Sequence, residues 1–67
     1  MRKSQIKVGM NVVVTDLPDA NVYEIDCVDG FEAHLIQRTR NGAVSAGWID
    51  ITMIHKEVKQ PNTTDEA

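Results

Sequence analysis

The sequence predicts a single all-β domain, a small antiparallel meander of five short strands carrying one 3₁₀ turn. Three observations point there. Apolar residues alternate with polar ones over three successive stretches, two glycine-bearing turns separate those stretches, and no window carries a comparable helical stripe. At 67 residues there is room for one domain.

The elements follow in chain order. Asn11-Val12-Val13-Val14-Thr15 is short and β-branched, hence a strand, with Gly9 ahead of it and turn chemistry from Asp16 to Asn21 behind it. Val22 to Val28 sets Tyr23, Ile25 and Cys27 against Glu24 and Asp26. Phe31 to Thr39 sets Phe31, Ala33 and Leu35 against Glu32 and His34. Ala43 to Ile49 sets Val44, Ala46 and Trp48 against Ser45 and Gly47. Ile51-Thr52-Met53-Ile54 suits one 3₁₀ turn with Asp50 as its cap and Ile54 tucked inward. His55 to Val58 is a short closing strand. The domain is expected to span residues 1–58. From Lys59 to Ala67 no large apolar residue offers an anchor, so a disordered tail is expected.

Turn chemistry sets the expected register. A two-residue loop at Asp29-Gly30 would put Glu24 against Leu35 and mix charge with core. A three-residue loop, Val28-Asp29-Gly30, sets Cys27 opposite Phe31, Ile25 opposite Ala33 and Tyr23 opposite Leu35, so each inward residue meets an apolar partner. A one-residue slip would reverse the faces. At Asn41-Gly42, placing Arg40 opposite Ala43 pairs Leu35 with Trp48 and selects the same inward face. The expected core is Tyr23, Ile25, Cys27, Phe31, Ala33, Leu35, Val44, Ala46 and Trp48, with one face of the first strand.

Composition narrows the function classes. A chain this short buries only about 60% of its unfolded surface, so small domains usually need a disulfide, a metal or a partner copy. Cys27 is the single cysteine, and His34 and His55 have no metal-ligand spacing around them. No cofactor is expected, and oligomerisation is the remaining route. The basic start, Arg2, Lys3 and Lys7, leads into no long apolar run, so neither a secretory leader nor a membrane partner is expected. A lone cysteine fits a reducing, cytoplasmic setting. Net charge is −3, and phosphate binding needs a basic surface. Six acids fall between Asp16 and Glu32 with no Lys or Arg among them, so one flank is acidic and the other basic.

Val8-Gly9-Met10-Asn11-Val12-Val13-Val14 resembles the opening strand of Tudor, KOW and related barrels. Gly47-Trp48-Ile49 followed by Ile54 looks like a last meander strand running into a 3₁₀ turn. Over Lys7 to Val58 the order therefore resembles the SH3-like small β-barrels. One enzyme family of that architecture, the plasmid-borne type II dihydrofolate reductases, binds cofactor and folate in an oligomer pore lined by a Val-Gln-Ile-Tyr stretch. The matching positions here are Ala46, Gly47, Trp48 and Ile49. The resemblance implies the fold and a tendency to oligomerise; the missing Gln and Tyr count against the activity.

With that register, Val22, Ile36 and Ile49 form an outward apolar stripe edged by His34, and contiguous exposed apolar surface marks an interface. Asp26 faces Glu32, a like-charge pair. Arg38, Arg40 and Lys56 are the candidate anion or nucleic-acid contacts, with no exposed aromatic beside them for base stacking. His34 has no Ser or Cys beside it in this register, so it is not a catalytic base candidate. Cys27 and Trp48 are core residues by parity. The leading expectation is a non-catalytic module, an accessory protein of a phage or mobile element, that self-associates or binds a small protein partner. A nucleic-acid-binding barrel and a small-molecule site in an oligomer pore are the alternatives.

Overall fold

In the computed structural model, which describes residues 1–59, five antiparallel strands form one sheet. They are β1 (Asn11–Val13), β2 (Tyr23–Asp29), β3 (Glu32–Thr39), β4 (Gly42–Asp50) and β5 (Lys56–Val58), in the order β4-β3-β2-β1-β5. A 3₁₀ turn at Lys3–Gln5 precedes them, and another at Ile51–Met53 joins β4 to β5. The all-β expectation holds, as does the capped turn. The Asp50 carboxylate accepts the Thr52 amide at 2.9 Å, and Ile54 is buried. Of the tail expected from Lys59 to Ala67, Lys59 is exposed and the rest lies outside the described residues.

The first hairpin turns differently from the expectation. Asp29 pairs with Glu32, leaving Gly30 and Phe31 as a two-residue loop with φ +63° at Gly30 and no positive φ at Phe31. Glycine at the first loop position is the type II′ pattern, whose twist matches the strands as well as an Asp-Gly turn does. Val28 then meets Ala33. Val28 and Ile25 are three residues apart, so regular alternation cannot turn both inward. A bulge at Asp26 supplies the missing step, and Ile25 pairs with Leu35. Cys27 is thereby opposite His34 and exposed, and Phe31 is exposed in the loop.

The second hairpin is also displaced. Thr39 pairs with Gly42 around Arg40 and Asn41, and Arg38 rather than Arg40 faces Ala43. A bulge at Ala46 falls between the Ile36–Ser45 and Leu35–Gly47 pairs, with Gly47 at φ +95°, a backbone angle that side chains disfavour. Beyond it Trp48 lies opposite His34 and points outward, while Ile49 lies opposite Ala33 and points inward.

The core is Val12, Ile25, Ala33, Leu35, Ile51 and Ile54, with Met1, Ile6, Met10, Tyr23, Val28 and Ile49 packed around it. Of the expected core, Ile25, Ala33 and Leu35 are buried and Tyr23 is half-buried; Cys27, Phe31, Val44, Ala46 and Trp48 are exposed. The two bulges reverse parity for Cys27 and Trp48 and leave Ala46 as the extra residue. Phe31 is exposed because it sits in the loop, and Val44 keeps the inward face but lies near the hairpin tip, 57% exposed. The N-terminal ammonium donates to the carbonyls of Ile51 and Ile54 at 3.0 and 3.2 Å, tying the first segment across the second 3₁₀ turn.

Candidate functional site

The pairings lay out the outward face of β2, β3 and β4 in rows. Asp29, Glu32 and Asp50 form one row, Cys27, His34 and Trp48 the next, and Glu24, Ile36 and Ser45 the third. The like-charge pair expected between Asp26 and Glu32 is therefore Asp29 with Glu32, and Asp50 extends it to three carboxylates.

In the second and third rows the side chains are locked by cross-strand hydrogen bonds. His34 Nδ1 lies 3.2 Å from the Asp26 carboxylate and Nε2 lies 2.8 Å from Ser45 Oγ. A carboxylate only accepts, so Nδ1 donates to Asp26; the Ser45 hydroxyl, which can donate or accept, satisfies Nε2. Trp48 leans on the imidazole, with ring centroids 5.2 Å apart at 44°. Arg38 grips Glu24 with two bonds, Nε to Oε1 at 2.9 Å and Nη2 to Oε2 at 3.1 Å. That fork holds the Glu24 carboxyl below the usual glutamate range, its hydrogen bond to Arg38 outweighing partial burial.

A serine does stand beside His34, contrary to the sequence expectation. The displaced second hairpin sets Ser45 opposite Ile36 where the expected register puts it opposite Arg38, and so brings it diagonally beside His34. Asp26, His34 and Ser45 have the hydrogen-bonding order of a serine-nucleophile relay. The nearby Gly47 amide, however, donates to Ser45 Oγ itself at 3.2 Å. It is thus not aimed at the place where an oxyanion would develop, the term on which acyl transfer most depends.

The expected apolar stripe is not assembled. Ile49 faces the core, the reverse of its expected direction, because the bulge precedes it. Ile36 does face outward, but it is only 8% exposed, between the Glu24–Arg38 pair and the His34–Ser45 ladder. Val22 is half-buried and lines a shallow groove with Val13, Leu17, Pro18 and Val58. His34 lies beside Ile36 on β3, as expected.

The candidate anion contacts are separated as well. Arg38 and Arg40 belong to the β3–β4 hairpin, whereas Lys56 sits on β5 at the opposite edge of the sheet, paired with Val13. Arg38 is committed to Glu24.

What the sequence reasoning missed is the edge. β4 is nine residues long, and among the described residues it has a strand partner, β3, on one side only. Its sequence, Gly42-Ala43-Val44-Ser45-Ala46-Gly47-Trp48-Ile49-Asp50, contains no Lys, Arg, Glu or Pro, the residues that usually blunt such an edge. Most of it is exposed, Val44 at 57% and Trp48 at 48%. The signal in the sequence was the run over residues 42–49, which carries no charge; that the following strand, β5, pairs with β1 and leaves this run open is decided by the topology.

No protein-family model, curated protein or solved structure matches the chain. Among the described residues no helix is long and apolar enough to cross a membrane, and no group of three or more His, Cys, Asp or Glu is placed to hold a metal ion.

Proposed function

We propose that this chain is a non-catalytic interaction module of the SH3-like type, which takes up an extended strand along β4. The observation that carries the reading is the long edge, which carries no charge before its last residue, Asp50. Its backbone donors and acceptors on the outer side, in the stretches on either side of the Ala46 bulge, are a template for one more strand, with main-chain bonds giving affinity and exposed side chains giving selectivity. The strand order, with β1 between β2 and β5, supports the SH3-like assignment. The non-catalytic part rests on Ser45, whose oxygen already receives the Gly47 amide.

Two measurements test this. Extended peptides selected from a display library are added to labelled protein, and backbone amide shifts are followed. Binders should shift and protect amides of Gly42–Asp50, and Val44→Lys, a lysine placed on the exposed edge, should abolish the effect. Binders that map elsewhere, or none at all together with unprotected β4 amides at millimolar protein, would sink the edge reading. Separately, a fluorophosphonate probe should label the wild type no more than Ser45→Ala. Labelling specific to Ser45 and lost in His34→Ala would overturn the non-catalytic reading.

A further inference from the structure

We infer that the strand received by β4 is the β4 of a second copy of this chain, laid antiparallel, so that two five-stranded sheets continue as one. The inference rests on the reading of β4 as an open edge and adds the identity of its occupant.

Charge selects the second copy and its direction. At the Asp50 end of β4 the pairings align Asp29, Glu32 and Asp50 in one row, which makes that end acidic, with the Asp50 carboxylate itself accepting from Thr52. At the other end lies the hairpin tip with Arg38 and Arg40, and Arg40 makes no ion pair among the described residues. Antiparallel pairing brings the carboxylate row of each copy toward the arginine tip of the other, twice by symmetry. Parallel pairing would stack acid on acid.

Geometry agrees. The Ala46 bulge divides the edge into Gly42–Ser45 and Gly47–Asp50, and antiparallel pairing runs the first half of one copy along the second half of the other. A two-fold axis normal to the sheet keeps like faces together. The outward residues Ser45 and Trp48 then meet across the seam, as do Ala43 and Asp50, while inward Val44 meets Ile49. The sheet's other edge, β5, is three residues long and offers far less backbone to pair with.

The test combines solution mass with disulfide trapping in a Cys27→Ser background. Ser45→Cys and Trp48→Cys proteins are oxidised singly and as a mixture, with circular dichroism confirming that each is folded. The expected result is a dimer in which the mixture cross-links and neither protein links to itself. Arg40→Glu should weaken dimerisation about twofold to fivefold, the range of exposed ion pairs, with less salt dependence than wild type. Self-linking of each single variant would mean parallel pairing and overturn the proposal, as would a trimer or larger ring. A monomer at every concentration, with no cross-link, also overturns it. In that event, selected peptides that still map to β4 leave the edge reading standing, and their absence removes both.

Discussion

Ser45 and His34 are joined by a 2.8 Å hydrogen bond that crosses from β4 to β3 although neither is the other's pairing partner. The pairing of Ser45 with Ile36 makes this diagonal contact, and the Gly47 amide secures the same oxygen. Ser45→Ala should therefore cost about 0.5–1.5 kcal/mol in urea unfolding, the usual worth of one intramolecular hydrogen bond. A double-mutant cycle with His34→Ala should show the two changes to be coupled. Strict additivity would mean that the contact contributes nothing.

Acid should weaken the fold partly through Glu24. Its carboxyl is held below the ordinary glutamate range chiefly by the Arg38 hydrogen bond, so the folded state binds a proton less readily than the unfolded chain. The stabilisation is complete above the unfolded value and disappears as pH falls through the folded one. The stability difference between wild type and Glu24→Gln should accordingly be flat near neutrality and shrink on acidification. A difference that grew in acid would contradict the assignment.

Gly47→Ala tests the second bulge. An added Cβ meets no atom within 4 Å, so space is not at issue. The penalty is conformational, from φ +95°, and should be about 1–2 kcal/mol in chemical denaturation. A neutral substitution would place Gly47 in ordinary extended backbone and remove the bulge.

Cys27 and Trp48 should both respond to solvent in the native state. The Cys27 thiol should react with a disulfide reagent without prior unfolding, and Trp48 fluorescence should be quenched by acrylamide. Ile51→Ala, by contrast, empties a position that is 1% exposed and should cost about 2–5 kcal/mol. Protection of both Cys27 and Trp48 until global unfolding would restore the register in which they point inward.

Strand existence was legible because alternation and turn residues are local signals, and so was the Asp50 cap, since an acid before a short apolar turn has one evident role. Register was less so. The Asp29-Gly30 dipeptide is compatible with three hairpin geometries, and which one forms depends on burying Val28 together with Ile25, a tertiary demand. Ala46 gives no sign of being an extra residue until Leu35, Ile36 and their partners are in place. The outward arrangement of His34, Ser45 and Trp48 follows from the same demand, because the turn at Arg40-Asn41 and one inserted residue decide it together. The sequence places Ile51 and Ile54 in a turn, and only the packing of that turn against Val12, Ile25, Ala33 and Leu35 puts them in the core.

The two bulges also govern where the chain tolerates a change in its length. Removing Ala46 would leave Ser45 and Gly47 as neighbours that already face Ile36 and Leu35, so interior and exterior stay as they are on both sides of the cut. The same holds at Asp26, between the pairs made by Ile25 and Cys27. A deletion anywhere else within β2 or β4 would transpose half a strand. Natural variants of this chain that differ by one residue within these strands are thus expected to carry the gap at those two places.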